Sequence, residues 1–250
     1  MKEFFRQLRR NVLRFGMRVL LRYNRLLTYL GYPRVYYAEF FTDKYLRETF
    51  FADFKYRGVV LEVGCATPML LSMSQHFRQN GWRSIGIEPN PKFVSLHRAC
   101  ANEVYAYAAS NYDQDDVDFV VVEDTDAYSN DGLSAHSYSA LSIKDRYRDY
   151  QNQAIDAFRQ ILIKVKVRRL DTILAEHCPE IRQIDLLSVD VEGFELEVMR
   201  GLDLEAIPVK VIVLENLFHE AEYTEYMQSR GYSLHSKIKY NYIYVPSASG

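Results

Sequence analysis

Cysteine is scarce in this sequence, and no long uncharged apolar run occurs. The 250 residues contain three cysteines, at positions 65, 100 and 178, which are too few for a disulfide scaffold and too scattered for a zinc site. A transmembrane helix needs about 18 uncharged apolar residues in a row, and the sequence has no such stretch. We therefore expect a protein of a reducing, cytoplasmic compartment that does not span a membrane.

The remaining composition is that of an ordinary globular protein. Apolar residues make up 48% and charged residues 26% of the chain, and its 250 residues suffice for one domain with a well-buried core. Aromatic residues are abundant, with 20 tyrosines and 14 phenylalanines. They could line a substrate cleft or fill the core, and both roles stay open on composition.

The net charge of −2 hides a strongly basic first segment. Residues 1–30 contain Lys2 and seven arginines but only Glu3 as an acid, a net charge of +7, so residues 31–250 carry −9. The arginines at positions 6, 10, 14, 18 and 22 recur every fourth residue. Apolar side chains follow the spacing of a helix, at Phe5, Leu8, Val12, Phe15, Val19, Tyr23, Leu26 and Leu30.

We expect residues 1–32 to form a basic amphipathic helix ahead of the domain. Such a helix could lie on an anionic membrane surface, which would make the protein peripheral on the inner face of the membrane. It could equally dock on its own domain with its arginines in solvent, and an organellar transit peptide is a third interpretation. The interrupting arginines argue against a cleaved secretory signal, and the acidic remainder argues against a nucleic-acid partner.

Strands and helices alternate along residues 33–246, which we take as one domain. This alternation is typical of a parallel, doubly wound sheet. A β-rich insertion occupies about 111–168, a hairpin closes the domain, and residues 247–250 form a tail. The predicted strands are 59–63, 84–88, 104–108, 119–123, 161–167, 186–191, 209–215, 233–238 and 242–245. The predicted helices are 36–54, 68–80, 91–102, a short helix that has Glu195 and Glu197 in its first turn and ends at Gly201, and 223–230.

The first two strands end on residues suited to a nucleoside cofactor. Gly64 follows the first strand, and a glycine turn before a helix gathers backbone N–H groups around a ligand. Glu88 ends the second strand, where a carboxylate can accept hydrogen bonds from both ribose hydroxyls. The loop Gly64-Cys-Ala-Thr-Pro68 contains one glycine, whereas a dinucleotide site needs three. This disfavours NAD and a hydride-transferring enzyme.

Carboxylates follow the next two parallel strands. Asp190 and Glu192 end the fourth strand, at the edge of the sheet where open α/β proteins bind ligands. Either could remove a proton from a substrate hydroxyl, or the two could hold a divalent cation. They could also be a turn former and a helix-capping acid. After the fifth strand, Glu215 and His219 could reach the same cleft, and a histidine titrates near neutral pH.

Several blocks occur in one order along the chain, and together they are specific. They are Gly81-Trp-Arg-Ser-Ile-Gly-Ile-Glu-Pro-Asn-Pro91, Tyr107-Ala-Ala-Ser110, Leu170-Asp-Thr-Ile-Leu174 and Ser188-Val-Asp-Val-Glu-Gly193, with Glu215 ending the fifth strand. This pattern resembles the FkbM-type S-adenosylmethionine-dependent methyltransferases. The resemblance implies an α/β, Rossmann-like class I methyltransferase sheet and S-adenosylmethionine as cofactor. It also implies O-methylation of a sugar, a glycan precursor or a secondary metabolite, and the basic helix could hold such an enzyme near a lipid-linked glycan.

The first loop departs from the family's pattern. The family usually has Asp-Val-Gly-Ala-Asn with a second glycine two places on, whereas this chain has Glu62-Val-Gly-Cys-Ala66 followed by Thr67 and Pro68. Pro68 supplies no N–H, although it suits the first turn of a helix. The alternative is therefore a catalytically inactive, methyltransferase-like binding module that acts through its basic N-terminal arm.

The residues and the resemblance together predict the site. In the insertion, His136 and Tyr138 suit recognition of the acceptor. Any divalent cation would bind Asp190 and Glu192, and the oligomeric state is left open. Catalytic groups are expected among Asp190, Glu192, Glu215 and His219, and cofactor contacts from Glu62, Gly64, Cys65, Ala66, Glu88, Pro89, Asn90, Ala109, Ser110 and Asp190.

Overall fold

The structure of the protein is a computed structural model that describes residues 34–124, 140–141 and 158–247, with residues 19, 23, 26, 27, 30 and 32 ahead of them. Most of the predicted N-terminal helix lies outside the described residues, as do His136 and Tyr138 of the insertion. Among the described residues, no helix combines the length and the apolar character that crossing a bilayer requires. The domain limits 33–246 stay a prediction.

A seven-stranded sheet forms the centre of the domain. The strands of the described residues are β1 (Val59–Val63), β2 (Arg83–Ile87), β3 (Glu103–Tyr105), β4 (Ala108–Ala109), β5 (Gln114–Asp124), β6 (Phe158–Arg168), β7 (Ile184–Val189), β8 (Val209–Glu215), β9 (Tyr232–Ile238) and β10 (Asn241–Pro246). The order in the main sheet is β3-β2-β1-β7-β8-β10-β9. Neighbours from β3 to β8 pair in parallel, and β10 pairs antiparallel with both β8 and β9. The predicted doubly wound sheet with a C-terminal antiparallel hairpin is confirmed.

Helices cover both faces of this sheet, because alternate strand residues point to opposite sides. On one face Val60 packs with Leu46 and Phe77. On the other face Leu61 belongs to a cluster that contains Ile173. The helices of the described residues are α1 (Thr42–Phe50), α2 (Gln75–Gln79), α3 (Pro91–Ala99), α4 (Leu170–His177), α5 (Glu195–Arg200) and α6 (Ala221–Ser229).

The inserted segment forms a second sheet, in the order β4-β6-β5. Long strands β5 and β6 pair antiparallel, and short β4 pairs in parallel with the end of β6. A small core of their own, which includes Ala108, Phe119 and Val167, holds them together. The prediction of one strand over 104–108 is wrong, because β3 belongs to the main sheet and Ala108 to the second.

Two predicted helices are shorter than expected, for the same physical reason. The predicted helix 36–54 is helical from Thr42, after a 3-10 turn at Glu39–Phe41, because Phe40 and Phe41 have φ of +54° and +55°. The predicted helix 68–80 begins only at Gln75, because Leu71 has φ of +58°. Left-handed backbone cannot continue a right-handed helix, so Pro68 does not lie in a first helical turn.

Candidate functional site

Close backbone contact places the loop after β1 beside the loop after β7. The Asp190 N–H donates to the Val63 carbonyl oxygen at 3.1 Å. Gly64 has φ of +78°, and a Cβ on it would stand 1.8 Å from the Asp190 carbonyl oxygen. Only glycine fits such a position. Gly64 therefore brings two of the predicted site loops into contact.

Glu62 holds the loop after β1 in its non-helical shape. Its buried carboxylate accepts hydrogen bonds from the Met73 N–H at 2.7 Å and the Ser74 N–H at 3.2 Å. The hydroxyls of Ser72 and Ser74 donate to it as well. Burial raises the pKa of Glu62, and these hydrogen bonds oppose the rise. Glu62 was predicted to contact a cofactor; its oxygens bind the loop, it also lines a cavity, and the contact stays a prediction.

Glu88 is buried directly after β2 and reaches the same loop. Its two oxygens accept the Asn90 N–H at 2.7 Å and the Ala66 N–H at 3.0 Å. Burial raises the pKa of Glu88 to about 7, and the two hydrogen bonds oppose the rise. Because a carboxylate offers about four lone-pair positions, two backbone donors leave Glu88 able to accept further hydroxyl donors.

Glu88 belongs to the wall of the first of two adjoining cavities, which we call the apolar cavity. It has a volume of about 540 Å³, and side chains from β5 and the segment 140–141 form part of its wall. The second sheet therefore helps to enclose the site. The lining residues are Val63, Gly64, Ala66, Ile87, Glu88, Pro89, Phe93, Tyr107, Ala108, Ala109, Phe119, Ala140, Leu141, Asp190, Val191, Glu192 and Phe194.

Of the four predicted cofactor residues Pro89, Asn90, Ala109 and Ser110, two lie in this wall and two do not. Pro89 and Ala109 line the apolar cavity. Asn90 instead caps α3, with its side-chain oxygen accepting the Lys92 N–H at 3.0 Å. Ser110 is buried, and its N–H donates to the Arg168 carbonyl oxygen at 3.0 Å.

The second cavity, which we call the acidic cavity, has a volume of about 860 Å³. Val63, Gly64, Ala66, Asp190 and Glu192 line both cavities, so the two meet at the contact between the loops. The acidic cavity has carboxylates on several sides. Its remaining lining residues are Glu39, Glu62, Cys65, Thr67, Leu70, Leu71, Met73, Ser188, Glu215, Tyr240 and Asn241.

Three carboxylates come together around Asp190, which lines both cavities. Oxygen atoms of Asp190, Glu195 and Glu215 lie within 4.8 Å of one another. Glu195 is fully buried and fixed, since it accepts the Val191 and Gly193 N–H groups at 3.0 Å each and the Tyr223 hydroxyl at 2.5 Å. The expected metal pair was Asp190 with Glu192, whereas the group of three acids found in the described part of the chain combines Asp190 with Glu195 and Glu215.

Crowding of these acids favours their protonated forms. The Asp190 side chain is open to the cavities, but the surrounding protein shields its carboxyl from bulk water, and this desolvation and the nearby charge of Glu195 raise its pKa to about 7. The pKa values of Glu192 and Glu215 are raised well above the ordinary range, by burial and by the charge of Asp190. Among the described residues, Glu215 Oε2 is buried without a hydrogen-bond partner. The cluster is therefore suited to a positively charged ligand, which would allow the protons to leave.

Two predicted site residues, His219 and Cys65, are less well placed for the roles predicted for them. His219 is exposed, its Nδ1 is 3.0 Å from the Tyr242 hydroxyl oxygen, and it lines neither cavity. Its role as a base stays a prediction. Cys65 lines the acidic cavity but is buried, and burial raises the pKa of its thiol well above the ordinary range. The thiol therefore stays protonated and acts as a packing group.

Several lining residues were not predicted from the sequence. Phe93, Phe119 and Phe194 line the apolar cavity, and Glu39 and Tyr240 line the acidic one. Phe194 lies two residues after the predicted site residue Glu192, so its place in the sequence gave a signal. Glu39 lies 20 residues before β1 and Tyr240 lies in the turn between β9 and β10, and no local pattern marks either as a site residue.

Part of the chain is similar to known methyltransferases. The model of the methyltransferase FkbM domain matches residues 62–234. Methyltransferase sdnD from Sordaria araneosa is 43% identical over 51 residues, which is 18% of this chain and 20% of that protein. Methyltransferase 1 from Beauveria bassiana (strain ARSEF 2860) is 49% identical over 43 residues, 17% of each chain. These matches span one fifth or less of the relatives' length. No solved structure matches the chain.

Proposed function

The chain belongs to the FkbM methyltransferase family, and on this premise we propose that it transfers a methyl group from S-adenosylmethionine to a hydroxyl oxygen. The acceptor would be a sugar, a glycan precursor or another secondary metabolite. One observation carries the proposal: an apolar cavity that contains Glu88 and an acidic cavity meet at Gly64 and Asp190.

The two cavities fit the two ends of S-adenosylmethionine in their chemistry. Adenine presents flat apolar faces, and Phe93 and Tyr107 line the apolar cavity beside Ala109. The free lone pairs of Glu88 can accept the two ribose hydroxyls. The amino-acid end carries an ammonium group next to the sulfonium, and the carboxylates around Asp190 offset that positive charge.

Asp190 is the best candidate for the group that takes the acceptor's proton. Bound S-adenosylmethionine supplies an electrophilic methyl group. Asp190 lines both cavities, and its pKa of about 7 leaves much of the carboxyl ionised at neutral pH. Burial and the charge of Asp190 raise the pKa values of Glu192 and Glu215 as well, and the positive charges of the bound cofactor favour their ionised forms.

Calorimetric titration with S-adenosylhomocysteine tests the cofactor assignment. We expect Glu88→Gln to weaken binding about tenfold or more, because the amide replaces one acceptor oxygen with a donor. Asp185→Asn is the matched control. Asp185 is a buried acid at the start of β7, at the opposite end of the strands, where it accepts the Tyr56 hydroxyl at 2.6 Å and the Val59 N–H at 2.8 Å. This variant should lose stability and keep its affinity.

The other possible outcomes of the titration would each contradict one specific part of the proposal. Unchanged affinity in Glu88→Gln would show that Glu88 does not bind the ribose. Absence of binding by the native chain would favour the inactive binding module. Repeating the titration with EDTA tests the predicted divalent cation, since a cation held at Asp190 would make the affinity depend on the chelator.

A further inference from the structure

The acidic cavity contains more carboxyl groups than the proposed cofactor can offset. Glu62 gives its oxygens to the loop after β1, and the other acids of the wall are Glu39, Asp190, Glu192 and Glu215. S-adenosylmethionine carries a sulfonium, an ammonium and a carboxylate, so its net charge is that of a single cation. Among the described residues that line the two cavities, none is a lysine, an arginine or a histidine. A further positive group in the acidic cavity would therefore be stabilised.

Glu39 reaches this cavity from a part of the chain outside the cofactor-binding loops. It begins the 3-10 turn Glu39–Phe41, and it lines the acidic cavity but not the apolar one. Within the described part of the chain, its carboxyl group has no hydrogen bond and no ion pair. The charge of Glu39 raises the pKa values of Asp190 and Glu215, so the carboxyl lies near enough to act on them. Glu39 is thus available to a ligand that shares the cavity with the cofactor.

Glu215 offers a second free acceptor in the same cavity. Its Oε2 atom is buried without a hydrogen-bond partner among the described residues, and a buried acceptor without a donor is unfavourable. The neighbouring Glu195 differs, because its oxygens already accept three hydrogen bonds. A divalent cation prefers about six or more oxygen ligands, whereas an ammonium group brings N–H donors and needs fewer partners. The arrangement therefore suits an ammonium group better than a metal ion.

Aromatic rings stand beside these acids. Tyr240, in the turn between β9 and β10, lines the acidic cavity. Its ring centroid is 6.1 Å from that of Phe40, and the two rings meet at 71°. Phe40 directly follows Glu39 in the sequence. The faces of aromatic rings attract organic ammonium groups, and sites that recognise them commonly contain several such rings. The rings and the acids therefore indicate the same kind of ligand.

We propose that Glu39, Glu215 and Tyr240 bind an ammonium group of the methyl acceptor, which is then an amine-bearing hydroxyl compound such as an amino sugar. This inference rests on the proposed methyl transfer and specifies its second substrate. The hydroxyl of the acceptor lies toward Asp190, which lines both cavities. An ammonium nitrogen has no lone pair, so carboxylates that keep the amine protonated also prevent it from competing with the hydroxyl for the methyl group.

Ligand-observed NMR on the full chain tests this subsite, with EDTA in every sample to remove divalent cations. The probes are ethanolamine, ethylene glycol and glycolate. They share a short carbon skeleton and a hydroxyl, and they carry an ammonium, a second hydroxyl and a carboxylate respectively. We expect ethanolamine to bind with a dissociation constant on the order of 1 mM and the other two probes to bind about tenfold more weakly, or less tightly still.

Two variants test the residues. Glu39→Gln keeps the shape of the side chain and removes its charge, so it should weaken ethanolamine binding about tenfold. Tyr240→Leu removes an aromatic face and should weaken it about threefold. Glu225→Gln is the matched control, since Glu225 is an exposed acid of α6 that lines neither cavity. It should bind ethanolamine like the native chain. A cooperative thermal transition shows that each variant is folded.

Equal binding of the three probes, no binding of ethanolamine, or ethanolamine binding that Glu39→Gln leaves unchanged would each overturn the proposal. Measurements with and without S-adenosylhomocysteine separate this failure from a failure of the cofactor assignment. A native chain that binds S-adenosylhomocysteine but not ethanolamine keeps the proposed function and loses the ammonium subsite. The reverse result keeps the subsite and contradicts the cofactor assignment.

Discussion

Two positions in the loop after β1 differ in how well their residue suits the backbone. Gly64 has left-handed backbone and no room for a side chain, and it is a glycine. Ala66 also has left-handed backbone, with φ of +39°, although an alanine, unlike a glycine, is strained in this conformation. The sequence revealed Gly64 because a glycine after a buried strand is a recognisable pattern. The strain at Ala66 depends on Glu62 and Glu88 holding the loop, and such tertiary constraints leave no local signal.

Ala66→Gly should stabilise the protein, because glycine adopts left-handed backbone without strain. We expect the free energy of unfolding to rise by about 1 kcal/mol and the thermal midpoint by roughly 2–4 °C. The reverse change at Gly231 is the control. Gly231 has φ of +79° and open space around a would-be Cβ, so Gly231→Ala should lower the midpoint by a similar amount. A lower midpoint for Ala66→Gly would mean that the methyl group makes a needed contact.

The acidic cluster is assembled by three elements, since Asp190 follows β7, Glu215 ends β8 and Glu195 begins α5. The strand ends were predictable because carboxyl ends of parallel strands share one edge of the sheet. The participation of Glu195 was not predicted, because its position in a first helical turn is also that of an ordinary dipole partner. Glu195 belongs to the cluster because it is buried against Tyr223 of α6. The packing of α5 against α6 therefore adds Glu195 to a cluster whose other two acids could be predicted from the strand ends.

Asp190→Asn should stabilise the protein at high pH and have little effect at low pH. The pKa of Asp190 is raised from 3.8 to about 7 in the folded protein, so the folded state binds the proton more tightly than the unfolded chain does. Its contribution to stability is complete below pH 3.8 and is lost as the pH rises to about 7. Asparagine cannot ionise and avoids this loss. Thermal unfolding at pH 5 and pH 8 checks the difference.

Asp185→Asn serves as the control, because the Asp185 carboxylate is paired with Lys210 at 2.7 Å. Its removal should lower the thermal midpoint at both pH values. If the thermal midpoint of Asp190→Asn falls as much at pH 8 as at pH 5, the carboxylates of the acidic cluster do not repel one another. The same variant should bind S-adenosylhomocysteine more weakly, since stability and binding are expected to oppose each other at a functional cluster.

At the scale of the whole molecule, the parallel, doubly wound sheet could be predicted because strands and helices alternate along the chain. The C-terminal hairpin followed from two apolar runs around a short polar turn. The second sheet was foreseen only as a β-rich insertion. The third strand of the second sheet, β4, is only two residues long. It belongs to this sheet and not to the main one because it pairs with the end of β6. A strand of that length has too little pattern to be recognised.

The thermal midpoint of the full chain with S-adenosylhomocysteine, and separately with NAD, is the measurement to make first. A ligand at about 100 times its dissociation constant adds roughly 2.7 kcal/mol to the folded state. For a protein of this size that is a rise of about 5–10 °C. We predict this rise with S-adenosylhomocysteine and no change with NAD. No rise with S-adenosylhomocysteine would contradict cofactor binding in the joined cavities, and a rise with NAD alone would assign them to a dinucleotide.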